Sequence, residues 1–161
     1  MISKKAQYAL VAMTGLAREY KRGPVLVSRL AEEERIPKDF LNLILLELKN
    51  HGLVQSKRGK RGGYVLSRSP DQISLASVIR LISGPLAPVP CVSAASPRSC
   101  DVCRDEEVCG IRPTMKEVRD ATAGILEKTT FADVVRRGDA LEKARKIRTA
   151  SLDGGSLNYV I

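Results

Sequence analysis

The chain has 161 residues, enough for one domain with an extension, and its 43% hydrophobic and 28% charged residues exclude a globally disordered chain. The net charge of +9 is uneven: residues 1–68 hold 14 Lys/Arg against 6 Asp/Glu, whereas residues 69–161 hold 13 against 12. A strongly basic half joined to a nearly neutral one suits a polyanion-binding module with something attached, although a basic surface also serves solubility alone. The least charged stretch, Ile73 to Val92, contains Arg80 and several prolines, so no membrane span is expected. MISKKAQYAL lacks the apolar core of a signal peptide. The expectation is a cytoplasmic protein whose four cysteines act as ligands or redox groups rather than disulfides. One histidine and no tryptophan exclude Cys2His2 fingers and His-rich metal sites within this chain.

From Lys4 to Tyr20, apolar residues recur at Ala6, Ala9, Leu10, Met13, Ala17 and Tyr20, a helical stripe ended by Gly23-Pro24. Val27 to Glu34 reads as a short helix capped by Ser28, with Leu30 and Ala31 inward. Pro37 suits the first turn of a third helix that runs to Asn50, buries Leu41, Ile44, Leu45 and Leu48, and stops at Gly52. Two short helices joined by a tight turn after a longer one fit a helix-turn-helix. Glu32, Glu33 and Glu34 read as a solvated face, and His51 as a donor meeting free carbonyls at a helix end rather than as a catalyst.

Strands over Leu53–Ser56 and Tyr64–Leu66, turned at Gly59 and Gly62-Gly63, form a hairpin bearing Lys57, Arg58, Lys60 and Arg61. A hairpin after a recognition helix is a wing. A helix over Ile73–Ser83 follows, capped by Ser74 and stopped by Gly84-Pro85. The fold class is therefore mainly α with a small β wing: a winged helix-turn-helix domain over residues 1–84 plus a long dimerisation helix. Residues 85–112 form a Pro/Ser/Gly-rich loop that holds Cys91, Cys100, Cys103 and Cys109. Pro113 opens a helix to Lys128 in which Met115, Val118, Thr122 and Ile125 make a short seam for a partner helix. Thr130 caps a closing helix, Phe131–Arg137, and residues 139–161 read as an extension with a flexible tail.

The wing's four cations suit phosphate contact or minor-groove insertion, while Lys38, Asp39 and Asn42, with Ser28 in the preceding helix, are candidates for contact by the helix-turn-helix. Asn42 suits a bidentate contact to adenine, and Lys38 reaches guanine or phosphate. Each of these side chains taken singly also reads as an ordinary solvated residue. Four thiols within 19 residues suffice for zinc or an iron–sulfur cluster, and the spacing does not choose between them. Unligated thiols in a mobile loop are the plainer alternative. Cys109 stands just before the long helix, whose free N–H groups favour a thiolate and an anionic cluster.

Together these features resemble the IscR-type iron–sulfur transcription regulators, a family that includes the NsrR, RirA and CymR types. The resemblance runs from Ser3 to Gly138 and is most specific over LVQSKRGKRGGYVLSRSPDQISLASVIRLISGP, Leu53–Pro85. GPLAPVPCVS, the Cys103-x5-Cys109 spacing and TTFADVV also resemble the family. The resemblance implies a non-enzymatic homodimer of winged subunits crossed through the long helix. It would bind a partly palindromic promoter site on double-stranded DNA, with no membrane partner. It also implies a 2Fe–2S or 4Fe–4S cluster whose state alters DNA affinity, with Cys91, Cys103 and Cys109 as ligands and Arg58 as a DNA contact. Arg112 stands where the IscR type has a ligand histidine, Gln7 where the NsrR type has an aspartate, and Asn42 where the IscR type has a recognition glutamate. Cys100, an extra thiol in the loop, is the candidate fourth ligand. The function expected is a transcription regulator, a repressor sensing iron, redox state or nitric oxide. A structural zinc or thiol switch in place of a cluster is the first alternative, and an iron–sulfur carrier without DNA binding is the second.

Overall fold

Helix α1 (Lys4–Arg18) packs against four other helices, and its sequence explains why. Its inner face is built from small residues, with Ala6, Ala9 and Ala12 fully buried, so neighbouring helices approach closely while Met13 and Leu16 fill the space between them. Ser3 starts it by accepting the Ala6 N–H at 3.2 Å. The computed structural model describes residues 2–59, 62–103 and 105–153, with side chains through Thr149.

Helices α2 (Val27–Glu33) and α3 (Lys38–Asn50) form the helix-turn-helix. Ile36, 3% exposed, plugs the turn between them, and its N–H donates to the Ala31 carbonyl at 2.9 Å. Ser28 does not cap α2: Leu26 holds that position without a side-chain bond, and Ser28 lies exposed in the first turn. Pro37 stands one place earlier than expected, at the N-cap of α3. The buried face of α3 is Leu41, Ile44, Leu45 and Leu48, as its period demands. The acidic run at Glu32–Glu34 is not a uniformly solvated face. Glu34 is half-buried beside Arg18 at 3.2 Å, and burial raises its carboxyl above the usual range against the pull of that guanidinium.

Strands β1 (Val54–Lys57) and β2 (Gly63–Leu66) pair antiparallel, Val54 opposite Leu66 and Lys57 opposite Gly63. Val25 adds a third, single-residue strand, exchanging two 2.9 Å hydrogen bonds with Tyr64. This docking requires glycine at position 63, where φ is +145° and a Cβ would stand 2.3 Å from the Val25 carbonyl oxygen. A 3-10 turn at Pro70–Gln72 leads into α4 (Leu75–Ser83), capped by Ser74 accepting the Ser77 N–H at 3.3 Å.

Helix α5 (Ile111–Lys128) begins two residues before Pro113, which falls within its first turn, where its missing N–H costs no intrahelical bond. Helix α6 (Phe131–Asp153) does not end at Arg137 but runs on through Gly138. Thr130 and Asp133 cap it reciprocally: the Thr130 N–H and hydroxyl donate to Asp133 Oδ2 at 2.9 and 2.8 Å, and the Asp133 N–H donates to Thr130 Oγ1 at 3.2 Å. Phe131, fully buried, locks this helix into the core beside α1. Of the end expected to be flexible, residues 151–161, the first three fall in α6, and residues 154–161 lie outside the described residues.

Candidate nucleic-acid interface and thiol loop

Burying one face of α3 leaves the other in solvent. Lys38, Asp39 and Asn42 are all exposed there, together with Leu43 and Leu46, which the sequence reading passed over. His51 closes the helix, its Nδ1 lying 2.9 Å from the Glu47 carbonyl, so that the tautomer protonated at Nδ1 donates to the free helix end. At the wing, Lys57 and Arg58 are exposed, and the turn closes through the Gly62 N–H donating to the Gly59 carbonyl at 2.8 Å. Lys60 and Arg61, the other two wing cations, lie outside the described residues. Ser28 sits on α2, separate from the wing cations in the chain and with its side chain exposed.

The thiol loop is organised from both ends. Cys91 sits on a 3-10 turn (Pro90–Val92) that packs against α5, and is 7% exposed. Arg119 of α5 holds that turn, donating to the Val92 carbonyl at 2.7 Å. At the other end Cys109 precedes the first turn of α5. Cys100 and Cys103 form a tight turn, the Cys103 N–H donating to the Cys100 carbonyl at 3.1 Å. Cys103 Sγ donates to Cys109 Sγ at 3.4 Å. That contact, with the N–H groups of Arg112 and Ile111 and the charge of Arg112, lowers the Cys109 pKa below the ordinary thiol value. The same contact pushes the Cys103 thiol up to about 11, with Cys100 nearby adding to the rise.

Cys91 and Cys109 line one open cleft of about 530 Å³, together with Glu106, Arg112, Lys116 and Arg119. Among the described residues no three His, Cys, Asp or Glu donors converge on one point. The structure therefore brings Cys103 and Cys109 into contact and places Cys91 on the wall of the same cleft as Cys109, without gathering all four thiols. Two supporting residues were missed by sequence reading: Arg119, and Glu106, which accepts the Cys100 N–H at 3.1 Å and pairs with Arg112 at 3.8 Å. Nothing in their spacing marks them, because both act on backbone or charge partners that only the loop's path brings near.

Helix α5 leaves none of its residues buried within this chain. Met115 is half-buried and Thr122 exposed, while Val118 is 45% and Ile125 67% exposed. The earlier helix start adds Ile111 to the same seam, so 111, 115, 118, 122 and 125 alternate by four and three. No described helix is long and apolar enough to cross a membrane.

Comparison with known proteins agrees with this geometry. The chain is 37% identical over 146 residues to a putative HTH-type transcriptional regulator, rrf2-like, of Rhodobacter capsulatus, covering 89% of this chain and 97% of that one. It is 34% identical over 147 residues to the HTH-type transcriptional regulator CymR of Bacillus subtilis, covering 89% and 95%. The solved structure of that CymR superposes with a TM-score of 0.73 over 85% of this chain and 97% of the other. IscR of T. potens superposes at 0.68 with 25% identity, covering 86% and 88%. These relatives are transcriptional regulators rather than enzymes. The profile of the Rrf2 family, described as an iron-dependent transcriptional regulator, matches residues 2–137, and the chain belongs to that family.

Proposed function

We propose that this Rrf2-family regulator acts in the cytoplasm as a homodimer and represses transcription from partly palindromic promoter sites. In this reading α3 enters the major groove, the wing cations hold phosphate, and the thiol loop controls affinity by carrying an iron–sulfur cluster. The observation that carries it is the placement of every cysteine of the chain in one loop, with Cys103 touching Cys109 and Cys91 on the cleft beside it. Thiolate donors suit such a cluster, and the cleft lining, with Arg112, Lys116 and Arg119 against Glu106 and Glu107, keeps a cationic excess that suits its negative charge. Cys91, Cys103 and Cys109 would hold it, with Cys100 as the fourth ligand. A cluster bound there would supply a redox- and ligand-sensitive group joining Cys91 to the start of α5.

The chain's own residues set the coupling. The Arg119 bond to Val92 ties the Cys91 turn to α5, and the Arg80–Glu127 ion pair ties α5 to α4 of the winged domain. In this reading a change in the loop reaches the DNA-binding domain through α5.

Purification without oxygen tests the proposal. A coloured protein with iron and acid-labile sulfide in equal amounts is expected, and zinc without sulfide, or no metal after reconstitution, would overturn it. One observation favours a second reading, a dithiol switch. Cys103 and Cys109 are in contact and their pKa values are driven apart, the arrangement in which a thiolate attacks an oxidant and its neighbour resolves the product. CymR, described as the global cysteine regulator of B. subtilis, is among its relatives. Metal-free protein that loses two thiols to peroxide and changes its DNA affinity would select this reading.

A further inference from the structure

Asp39, Asn42, Leu43 and Leu46 stand at i, i+3, i+4 and i+7 on α3 and so form one stripe. It lies opposite Leu41, Ile44, Leu45 and Leu48, which are all fully buried. Leu43 is 60% and Leu46 49% exposed, and neither belongs to the core cluster. A single exposed leucine needs no explanation. Here two stand one turn apart, beside Asn42 and Asp39, on a helix with Lys38 at its start and Lys49 in its last turn, and the wing that follows it in the chain exposes Lys57 and Arg58.

Resting on the reading of α3 as the helix that enters DNA, we propose that Leu43 and Leu46 are thymine readers. Their side chains pack against C5-methyl groups in the major groove. That methyl is the one apolar group a base pair presents there, so an apolar strip on a groove-facing helix has a defined target. The exposed cations of this helix and of the wing argue for duplex DNA over a protein partner, because phosphates lining a groove complement them. Asn42, between Asp39 and Leu43 on the stripe, suits an adenine, so the strip favours an A·T-containing half-site.

The test starts from the duplex that the full chain selects from a random pool. Each thymine is replaced singly by uracil, which removes the methyl and keeps the hydrogen-bonding pattern. At one or two positions the substitution is expected to weaken wild-type binding about fourfold, the worth of burying one methyl-sized group. Leu43→Ala and Leu46→Ala, both at exposed sites, should each abolish the uracil effect at one position while leaving the others. Specific binding that tolerates uracil everywhere overturns the proposal and leaves DNA recognition by α3 intact. An alanine variant that loses affinity equally for thymine and uracil duplexes also overturns it, since the leucine would then act through something other than the methyl group. Failure to select any sequence overturns both readings.

Discussion

Cys103 Sγ lies 3.4 Å from Cys109 Sγ, joining a mid-loop turn to the N-terminal end of α5, the helix with the exposed apolar seam. Because Cys91 lines the same cleft as Cys109, a group bound between them would span the loop's two ends. Cys91→Ala, Cys103→Ala and Cys109→Ala are each expected to abolish or cripple cluster binding, measured as iron and sulfide per chain. Cys100→Ala is expected to keep a cluster with altered spectrum and shortened lifetime. Unchanged iron, spectrum and lifetime in Cys100→Ala would remove it from the ligand set.

On the proposed reading, wing and helix divide the work of binding. Arg58→Ala is expected to weaken binding to all duplexes alike and to lower the slope of log affinity against log salt by about one counterion. Asn42→Ala is expected to cost about 1–3 kcal/mol at one base position and little elsewhere. Salt titrations on specific and random duplexes separate the two, and equal losses on both for Asn42→Ala would end its assigned role.

The seam on α5 leaves Ile111, Val118 and Ile125 exposed among the described residues. Val118→Asp and Ile125→Asp each place a charge where a partner helix would bury it, and are expected to leave monomers in sedimentation velocity. DNA affinity should fall with dimerisation, because one subunit reads half a site. Intact dimers for both variants would put the interface elsewhere.

The cap of α6 gives a pH dependence. Hydrogen bonds from Thr130 hold the Asp133 carboxyl below the ordinary range, with smaller help from Arg136 and Arg137. A group depressed on folding stabilises the fold above its unfolded value, about 3.9, and that stabilisation is lost as pH falls through the folded value. The melting temperatures of wild type and Asp133→Asn should therefore differ at neutral pH and converge in acid. Thr130→Ala is expected to cost about 1 kcal/mol. A constant gap between wild type and Asp133→Asn across that pH window would refute the titration.

The winged domain was legible because its signals are local and periodic. Leu41, Ile44, Leu45 and Leu48 repeat at helical spacing, and the glycines at the wing mark where backbone must approach backbone. Helix boundaries were less legible where a single residue seemed decisive. Pro113 fits any position in a first turn, so it did not fix where α5 begins, and Ile111 was left off the seam. Gly138 costs a helix only about 1 kcal/mol, and the Ala, Leu, Glu, Lys and Arg residues after it favour continuing. Ser28 had the residue type of a cap but not the place. In the thiol loop the types and spacing of the cysteines were readable. The contact of Cys103 with Cys109 and the clamps by Glu106 and Arg119 were not, since they depend on a loop path that no periodicity encodes.

If the thiol loop sets the affinity of the winged domain for DNA, fluorescence anisotropy on one promoter duplex at fixed salt will show it, using one anaerobic preparation before and after removal of the proposed cluster. Kd values that differ by about 5- to 150-fold are expected, the usual range of coupling between two sites on one protein. Superimposable titrations from cluster-loaded and cluster-free protein would contradict it.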